Sequence, residues 1–256
     1  SLTLFLFFVA SLLLAPIIFL NKKYRKKILS AMPKAMIISL FFSLYFIGLF
    51  KALETTTALN TGTLFTLVPL ITAILCIFLL KQKMSFSQLI IYLIGIVGTC
   101  IVVFKADIDL LLNFSLNQGD LIFLFATISM SLYSISTKYF HKKDDELPVL
   151  VFTTLLGGCI WMFLSLEILD IPLEWSKIQG DLIYYMIYLI IGATLMTVYL
   201  YQEAAITIGP KKLMAYVYLN PAAIAILLFI LEGEVISLKV LIGIILSTII
   251  TFLLLF

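Results

Sequence analysis

The sequence has few charged residues for its length. Only 12% of its 256 residues are charged, whereas 63% are hydrophobic, and the mean hydropathy is +1.19. A water-soluble domain of this size cannot bury so much apolar surface, so the composition excludes a soluble globular protein. We therefore expect the chain to be embedded in a lipid bilayer.

The chain also has few residues that carry reactive chemistry. His141 is the only histidine, and Cys76, Cys100 and Cys159 lie singly in three different apolar runs. Metal centres and histidine-based catalytic triads need clusters of such residues, so we expect no metal, no cofactor and no enzymatic activity. No glycine-rich phosphate loop is present, which argues against ATP as an energy source. The basic residues are confined to short segments between apolar runs, so nucleic acid is not an expected partner.

Long apolar runs make up most of the chain. They are continuous rather than alternating, and a helix of about 20 apolar residues crosses a bilayer, so they predict transmembrane helices rather than barrel strands. The predicted spans are residues 1–20, 34–53, 60–80, 86–105, 119–140, 148–169, 181–205, 211–232 and 236–256.

Two of these segments are copies of one another. Residues 67–85 align with residues 219–237 without a gap, at an offset of 152. The identical pairs are Leu67/Leu219, Pro69/Pro221, Ala73/Ala225, Ile74/Ile226, Leu75/Leu227, Leu79/Leu231 and Ser85/Ser237. A repeat of this kind in a membrane protein is typical of a transporter built from two halves.

The same offset relates other spans. It places 34–53 on 181–205 and 86–105 on 236–256, while 1–20 corresponds to 148–169 with a small shift. Five spans in the second half against four in the first predict one more helix before Ser1. The expected fold is thus an all-α, ten-helix inverted repeat with nine helices present. Its two units are residues 1–105, which lack the first of five helices, and residues 119–256, and they are joined by an outer loop at 106–118.

The basic residues predict the orientation of the chain. If residues 21–27 (NKKYRKK) form a cytoplasmic loop, alternation of the spans puts thirteen of the seventeen Lys and Arg residues on that side. Positive charge is retained on the cytoplasmic side of membrane proteins. We therefore expect the C-terminus to be cytoplasmic. An odd number of spans in each half inverts the second half relative to the first.

Short motifs recur in a fixed order along both halves. In the second half they are Leu219-Asn220-Pro221, Gly233-Glu234, Ser237 and Gly243, after an opening segment with Gly119-Asp120-Leu121, Ser131-Leu132-Tyr133-Ser134 and Lys138. In the first half they are Ala52-Leu53, Pro69, Ser85, Gln88, Gly95 and Gly98. Their order and duplication resemble the EamA family of the drug/metabolite transporter superfamily. The departures are Gln82 in place of a glutamate matching Glu234, Met130 where a tryptophan is frequent, and Phe7-Phe8 where an arginine is common.

The resemblance implies a secondary transporter that moves a small metabolite, such as an amino acid or a related compound, across a bacterial inner membrane. Export is frequent in the family, and the mechanism is alternating access. Two other classes remain open, a channel or lipid scramblase and, less favoured, a membrane-embedded enzyme. The residues leave open whether a proton or a counter-substrate drives transport, and they do not fix the oligomeric state.

Two prolines mark one candidate region. Pro69 and Pro221 lie near the middle of their spans, where each deprives a carbonyl four residues earlier, at Phe65 or Val217, of its helical hydrogen bond. The kinks either serve packing alone or shape a central cavity. Asn220 is polar at the same depth and Tyr216 lies four residues before it. This pair either bonds to a neighbouring helix or lines the substrate site.

Glu203 is the candidate for a gate or a coupling group, because a carboxylate within a span is a functional candidate. It shares the spacing of one helix face with Tyr199 and Gln202. The alternative is a solvated end-of-helix charge, paired with Lys211 or Lys212. The candidates for a substrate cavity are Tyr45, Thr66, Tyr133, Tyr199, Gln202, Tyr216 and Asn220, for each of which core packing is the competing interpretation.

Overall fold

The computed structural model describes residues 1–105, 107–113, 115–233 and 237–256, and these ranges contain nine helices long and apolar enough to cross a membrane. They are α1 (Leu2–Leu20), α2 (Lys22–Ala52), α3 (Leu59–Leu79), α4 (Phe86–Val103), α5 (Gln118–Phe140), α6 (Leu147–Ile168), α7 (Leu182–Thr207), α8 (Pro210–Glu232) and α9 (Leu238–Leu255). The predicted all-α membrane fold is confirmed. Eight of the nine described helices lie on their predicted spans with only small differences at the ends.

The exception is α2, which begins at Lys22 rather than at residue 34 and has 31 residues. The basic segment 21–27, expected to be a loop, is helical after a single non-helical residue at Asn21. Lysine and arginine are good helix formers, so a lack of hydrophobicity here does not end the helix. Pro33, which directly precedes the predicted span, is accommodated within the helix.

The described chain divides into two compact units. Unit 1 comprises residues 1–46 and 136–207, and unit 2 comprises residues 47–135 and 208–256. Each unit therefore draws helices from both predicted repeats. The division into repeats at 1–105 and 119–256 stays a prediction.

In unit 1, α1 packs against its repeat counterpart α6. A Cβ atom at Gly158 would lie 2.7 Å from the ring of Phe7, so glycine is what allows this close approach. Phe19 meets Phe152 with ring centroids 6.0 Å apart. Since the later residue of α1 contacts the earlier residue of α6, the two helices run antiparallel.

The α5–α6 loop of unit 1 holds the basic start of α2. Asp145 pairs with Lys34, and the Glu146 carboxylate lies 2.7 Å from the Lys23 ammonium and 3.2 Å from that of Lys27. These acidic partners explain why a segment so rich in positive charge forms an ordered helix.

Burial alone would raise the pKa of the Asp145 carboxyl. The hydrogen bond and positive charge of Lys34, together with the N–H of Lys142, outweigh this effect and hold the pKa below 3.8. The carboxylate is therefore stabilised in its charged form.

In unit 2, α4 packs against its repeat counterpart α9. Cβ atoms at Gly95 and Gly98 would lie 2.9 Å from the Ile250 side chain and 3.2 Å from the Ser247 nitrogen, respectively. Gly243 is equally tight against Ile101 at 2.9 Å. Residues later in α4 contact residues earlier in α9, so this pair of helices is also antiparallel.

The polar end of unit 2 is organised by Asp120, which is 1% exposed. Its carboxylate accepts hydrogen bonds from the Thr56 hydroxyl, from Asn60 Nδ2 at 2.8 Å and from the Asn117 N–H at 2.7 Å. Asn117 in turn accepts from the Asp120 N–H at 3.0 Å. The cluster joins the start of α5 to the segment that precedes α3.

The last identical pair of the repeat also has one shared role. Ser85 accepts from the Gln88 N–H at 3.2 Å and caps α4, while Ser237 accepts from the Val240 N–H at 3.3 Å and caps α9. A serine oxygen at this position satisfies one of the free N–H groups of a helix start. The repeat has thus kept the same start signal in both copies.

Candidate functional site

Helix α3 is interrupted where the first proline lies. It consists of two α-helical parts, Ala58–Phe65 and Val68–Leu79, and Pro69 falls in the first turn of the second part. The Thr66 hydroxyl donates to the Thr63 carbonyl at 2.7 Å, and Thr66 is 2% exposed. Thr66 therefore ends the first part of α3 with a local hydrogen bond.

Helix α8 is interrupted at the matching place. Its parts are Pro210–Ala215, a tighter 3-10 segment at Tyr216–Leu219, and Asn220–Glu232, in which Pro221 occupies the first turn. The Val217 carbonyl, expected to be open because Pro221 has no N–H, accepts from the Asn220 N–H instead. Tightening to 3-10 geometry replaces the hydrogen bond that proline removes.

The two interrupted helices are in contact within unit 2. The first part of α8 and its 3-10 segment both pack against the second part of α3. Tyr218, fully buried in the 3-10 segment, donates from its hydroxyl to the Tyr92 carbonyl on α4 at 2.9 Å. The 3-10 segment at the second break is therefore held in place by contacts with α3 and by a hydrogen bond to α4.

The four cavity candidates of unit 2 fall into two environments. Tyr133 and Thr66 are 1% and 2% exposed and belong to the packed interior. Tyr216, at 45%, and Asn220 are exposed on the surface of the unit. Asn220 was predicted either to bond to a neighbouring helix or to line the substrate site; its side chain lies on an accessible face.

The candidates of unit 1 are also divided. Gln202 is fully buried and its Nε2 donates to the Thr154 hydroxyl on α6 at 3.0 Å, whereas the adjacent Glu203 is exposed and Tyr199 is partly exposed. Tyr45 is partly exposed, with its ring 5.3 Å from that of Phe46. The spacing of Tyr199, Gln202 and Glu203 therefore does not give them one environment.

Helix α7 contains a further irregularity that the sequence did not indicate. Residues Leu189–Met196 form a π-helix directly before the segment that carries Tyr199, Gln202 and Glu203. The Thr197 hydroxyl donates to the Gly192 carbonyl at 3.0 Å, which satisfies an oxygen in the wide turn. π-Helical turns in α-helices are frequent at functional sites.

A cavity of about 250 Å³ lies in unit 2 and one of about 540 Å³ lies in unit 1. Neither is lined by any of the seven cavity candidates. Gln82 lines the cavity of unit 2, whereas Glu234, its counterpart in the repeat, lies outside the described residues.

Tyr218 and Tyr92 are the residues that the sequence interpretation missed. Tyr218 lies between the candidates Tyr216 and Asn220 in the sequence. Tyr218 and Tyr92 are both almost fully buried. Gly95, which the sequence motifs include, is the related signal for Tyr218. A Cβ atom at Gly95 would lie 2.7 Å from the Tyr218 ring, so glycine is what leaves room for this side chain.

These features define an integral membrane protein. The described residues contain nine long apolar helices, and two helices at repeat-related positions are interrupted at prolines, which is typical of secondary transporters.

Comparison with known proteins identifies the family. The model of the EamA-like transporter family matches residues 1–104 and 117–256, and the chain belongs to this family. The resemblance inferred from the sequence motifs is thereby confirmed.

The chain is also similar to two curated transporters of Bacillus subtilis, both described as uncharacterized. It is 28% identical to YyaM over 126 residues, which are 49% of this chain and 40% of YyaM. It is 26% identical to YdfC over 202 residues, which are 79% of this chain and 64% of YdfC. The chain thus spans between two fifths and two thirds of the length of these relatives.

A solved crystal structure of another protein has the same fold. Its TM-score to this chain is 0.75, with 18% sequence identity, and the alignment covers 98% of this chain and 85% of the other.

Proposed function

We propose that the protein is a secondary transporter that moves a small metabolite across the cytoplasmic membrane by alternating access, with its two inverted five-helix repeats as the moving parts. The observation that carries this proposal is the pair of interrupted helices, α3 at Pro69 and α8 at Pro221. Paired interruptions at corresponding positions of two halves point to a substrate site in transporters of this kind.

The cost of these interruptions supports a functional reason for them. A break in a transmembrane helix exposes backbone polar groups, which hydrocarbon cannot solvate. Breaks therefore persist only where protein or water supplies hydrogen-bond partners for these groups. Here the 3-10 turn at Tyr216–Leu219 meets that need for the Val217 carbonyl, which accepts from the Asn220 N–H. Both repeats keep the break, although an uninterrupted helix would be simpler to stabilise.

The exposure of the candidate residues divides them into two roles. Tyr216 and Asn220 flank the second break with accessible polar groups and are proposed to bind the substrate. In unit 1, Tyr45 and Tyr199 stay separate candidates for substrate binding. Glu203, accessible on α7, is the proposed gate or coupling group. The buried residues Thr66, Tyr133 and Gln202 support the positions of these groups rather than binding substrate.

The substrate is proposed to be an amino acid or a related amphipathic compound, exported from a bacterial cell. The accessible candidates are mainly hydroxyls and an amide, with one carboxylate, which suits a zwitterionic or aromatic molecule better than a multiply charged one. The excess of lysine on one side of the chain favours a cytoplasmic C-terminus in the inner membrane.

The test is uptake of a panel of labelled metabolites into proteoliposomes. Saturable uptake of one compound above that of protein-free liposomes supports the proposal. Tyr216→Phe and Asn220→Ala are each expected to raise its KM about two- to tenfold, as expected for the loss of one hydrogen bond. Flux that rises linearly with concentration for every compound favours the channel or scramblase instead.

A further inference from the structure

The cavity of unit 2 lies at one end of four segments of that unit. It is bounded by the turn between α3 and α4, by α4, by the start of α8 and by the end of α9. The polar residues of its lining are Gln82, Gln88, Lys211 and Lys212. The lining also includes Tyr92, Ile208 and Leu254, which we call the apolar wall.

The lysines at this cavity differ from those elsewhere. Lys23, Lys27 and Lys34 in unit 1 are paired with acidic side chains of the α5–α6 loop. Within the described part of the chain, Lys211 and Lys212 form no ion pair, and no acidic residue lines the cavity. Two positive charges are therefore concentrated at a concave surface without compensation from the protein.

The geometry leaves these charges available to a ligand. Lys211 Nζ donates one hydrogen bond to the Lys83 carbonyl at 3.1 Å, which positions it at the turn and leaves two of its three N–H donors. Gln88 uses its side-chain oxygen to accept from the Ser85 N–H, so its NH₂ group remains a donor. Lys81 and Lys83 add exposed positive charge beside the opening.

Positively charged N–H donors that have no acidic neighbours are suited to bind a phosphate group. The apolar wall gives the source of that phosphate: a free ion needs no hydrocarbon contact, whereas a lipid headgroup enters beside its own acyl chains. Basic pockets between transmembrane helices are suited to the headgroups of anionic lipids. We propose that this basic pocket binds the phosphate group of an anionic phospholipid.

The lysine distribution puts this pocket at the inner leaflet, on the side with thirteen of the seventeen basic residues. The proposed lipid site is separate from the transport residues, since none of the seven cavity candidates lines it. The proposal of a lipid site does not depend on which compound is transported.

The test is a titration of the purified full chain in neutral detergent with phosphatidylglycerol, phosphatidylcholine or inorganic phosphate. Binding is followed by native mass spectrometry and by the melting temperature. Lys211→Gln/Lys212→Gln removes the pocket charges, and Lys22→Gln/Lys26→Gln is the matched control, which removes two exposed lysines of the same side in unit 1.

Phosphatidylglycerol is expected to bind the wild type and the control variant in preference to phosphatidylcholine, and to bind the pocket variant about tenfold more weakly or worse. Equal binding to the pocket variant overturns the proposal, as does an equal loss in the control. Inorganic phosphate that binds as tightly as phosphatidylglycerol overturns the assignment to a lipid.

A second variant retains every charge in case the double variant does not fold. Leu254→Trp places a larger side chain in the apolar wall of the pocket. Weaker phosphatidylglycerol binding by a folded Leu254→Trp protein supports the proposal, and unchanged binding overturns it.

Discussion

Gly98 on α4 lies directly against Ser247 on α9, where a Cβ atom at Gly98 would be 3.2 Å from the Ser247 nitrogen. The repeat counterparts of these two residues, at the offset of 152, are Ile250 and Gly95, and they meet each other as well. A contact that is reproduced with its partners exchanged is the signature of two-fold symmetry. Together with the antiparallel direction of α4 and α9, it supports an inverted relation between these two helices.

This close contact makes a prediction about stability. Gly95→Ala puts a methyl group 2.7 Å from the Tyr218 ring and 2.9 Å from the Ile250 side chain, so one of them has to move. Overpacking of this kind is expected to cost about 1–3 kcal/mol, measured as a lower melting temperature in detergent.

Gly62→Ala is the matched control, because a Cβ atom there meets nothing within 4 Å. It is expected to leave stability unchanged or slightly raised, since alanine favours the helix. Equal effects at the two glycines would contradict the close packing of α4 and α9.

The Asp120 cluster makes a second prediction. Asp120→Asn replaces one of the two acceptor oxygens by an NH₂ group, which then faces either the Thr56 hydroxyl or the N–H donors of Asn60 and Asn117. We expect unfolding to become easier by about 2 kcal/mol, because charge-assisted bonds are lost and a buried donor is left unsatisfied. Asp109→Asn, on an exposed residue of the short helix Ile108–Leu112, is the control and is expected to change stability little.

The ion pair of Asp145 and Lys34 predicts a dependence of stability on pH. In the folded protein the pKa of Asp145 is lowered from 3.8, so its contribution is complete above that value and is lost as the pH falls through the lowered pKa. Melting temperatures measured from about pH 6 to about pH 3 are expected to fall less steeply for Asp145→Asn than for the wild type.

Asp144→Asn is the control for this comparison, because the contact of Asp144 with Lys27 is made by its backbone carbonyl. Its melting curve should follow that of the wild type. If the acid-induced loss is the same in Asp145→Asn, the pair does not stabilise the folded state.

The proline break in α8 predicts a separation of transport from stability. Pro221→Ala restores an N–H group that can bond to the Val217 carbonyl and relax the 3-10 segment. We expect transport in proteoliposomes to fall while the melting temperature is kept or raised.

Pro210→Ala is the matched control. Pro210 is the first residue of α8, where a backbone N–H group would have no partner within the helix, so the substitution restores no helical hydrogen bond. Normal transport by Pro221→Ala would show that the break serves packing alone.

Glu203 has its own test. Glu203→Gln is expected to lower transport and to remove the pH dependence of transport, if the carboxylate couples or gates the cycle. Glu167→Gln, on an exposed residue of α6, serves as the control. Unchanged transport with an unchanged pH profile in Glu203→Gln eliminates this residue.

The extent of the fold could be predicted because span positions depend on the length of apolar runs. The start of α2 could not, since residues 22–34 form a polar helix segment that is held by ion pairs with Asp145 and Glu146, partners that are distant in sequence. Hydrophobicity identifies what lies in the membrane, whereas it does not show where a helix continues beyond it.

The environments of the candidate residues were less predictable. Tyr216 and Asn220 were expected to share one helix face because four residues return to one side of an α-helix. The 3-10 turn between them changes that relation, and Tyr218 points inward instead. In α7, Gln202 and Glu203 are adjacent in sequence, yet Gln202 bonds Thr154 in the interior and Glu203 faces outward.

Counterflow in proteoliposomes tests the central claim most directly. Vesicles are loaded with an unlabelled compound from the panel that shows saturable uptake, and entry of the same labelled compound is followed. A transporter that alternates access is expected to take up the label faster when unlabelled substrate is present inside. Uptake that is unaffected by internal substrate, and that does not saturate, would contradict alternating access.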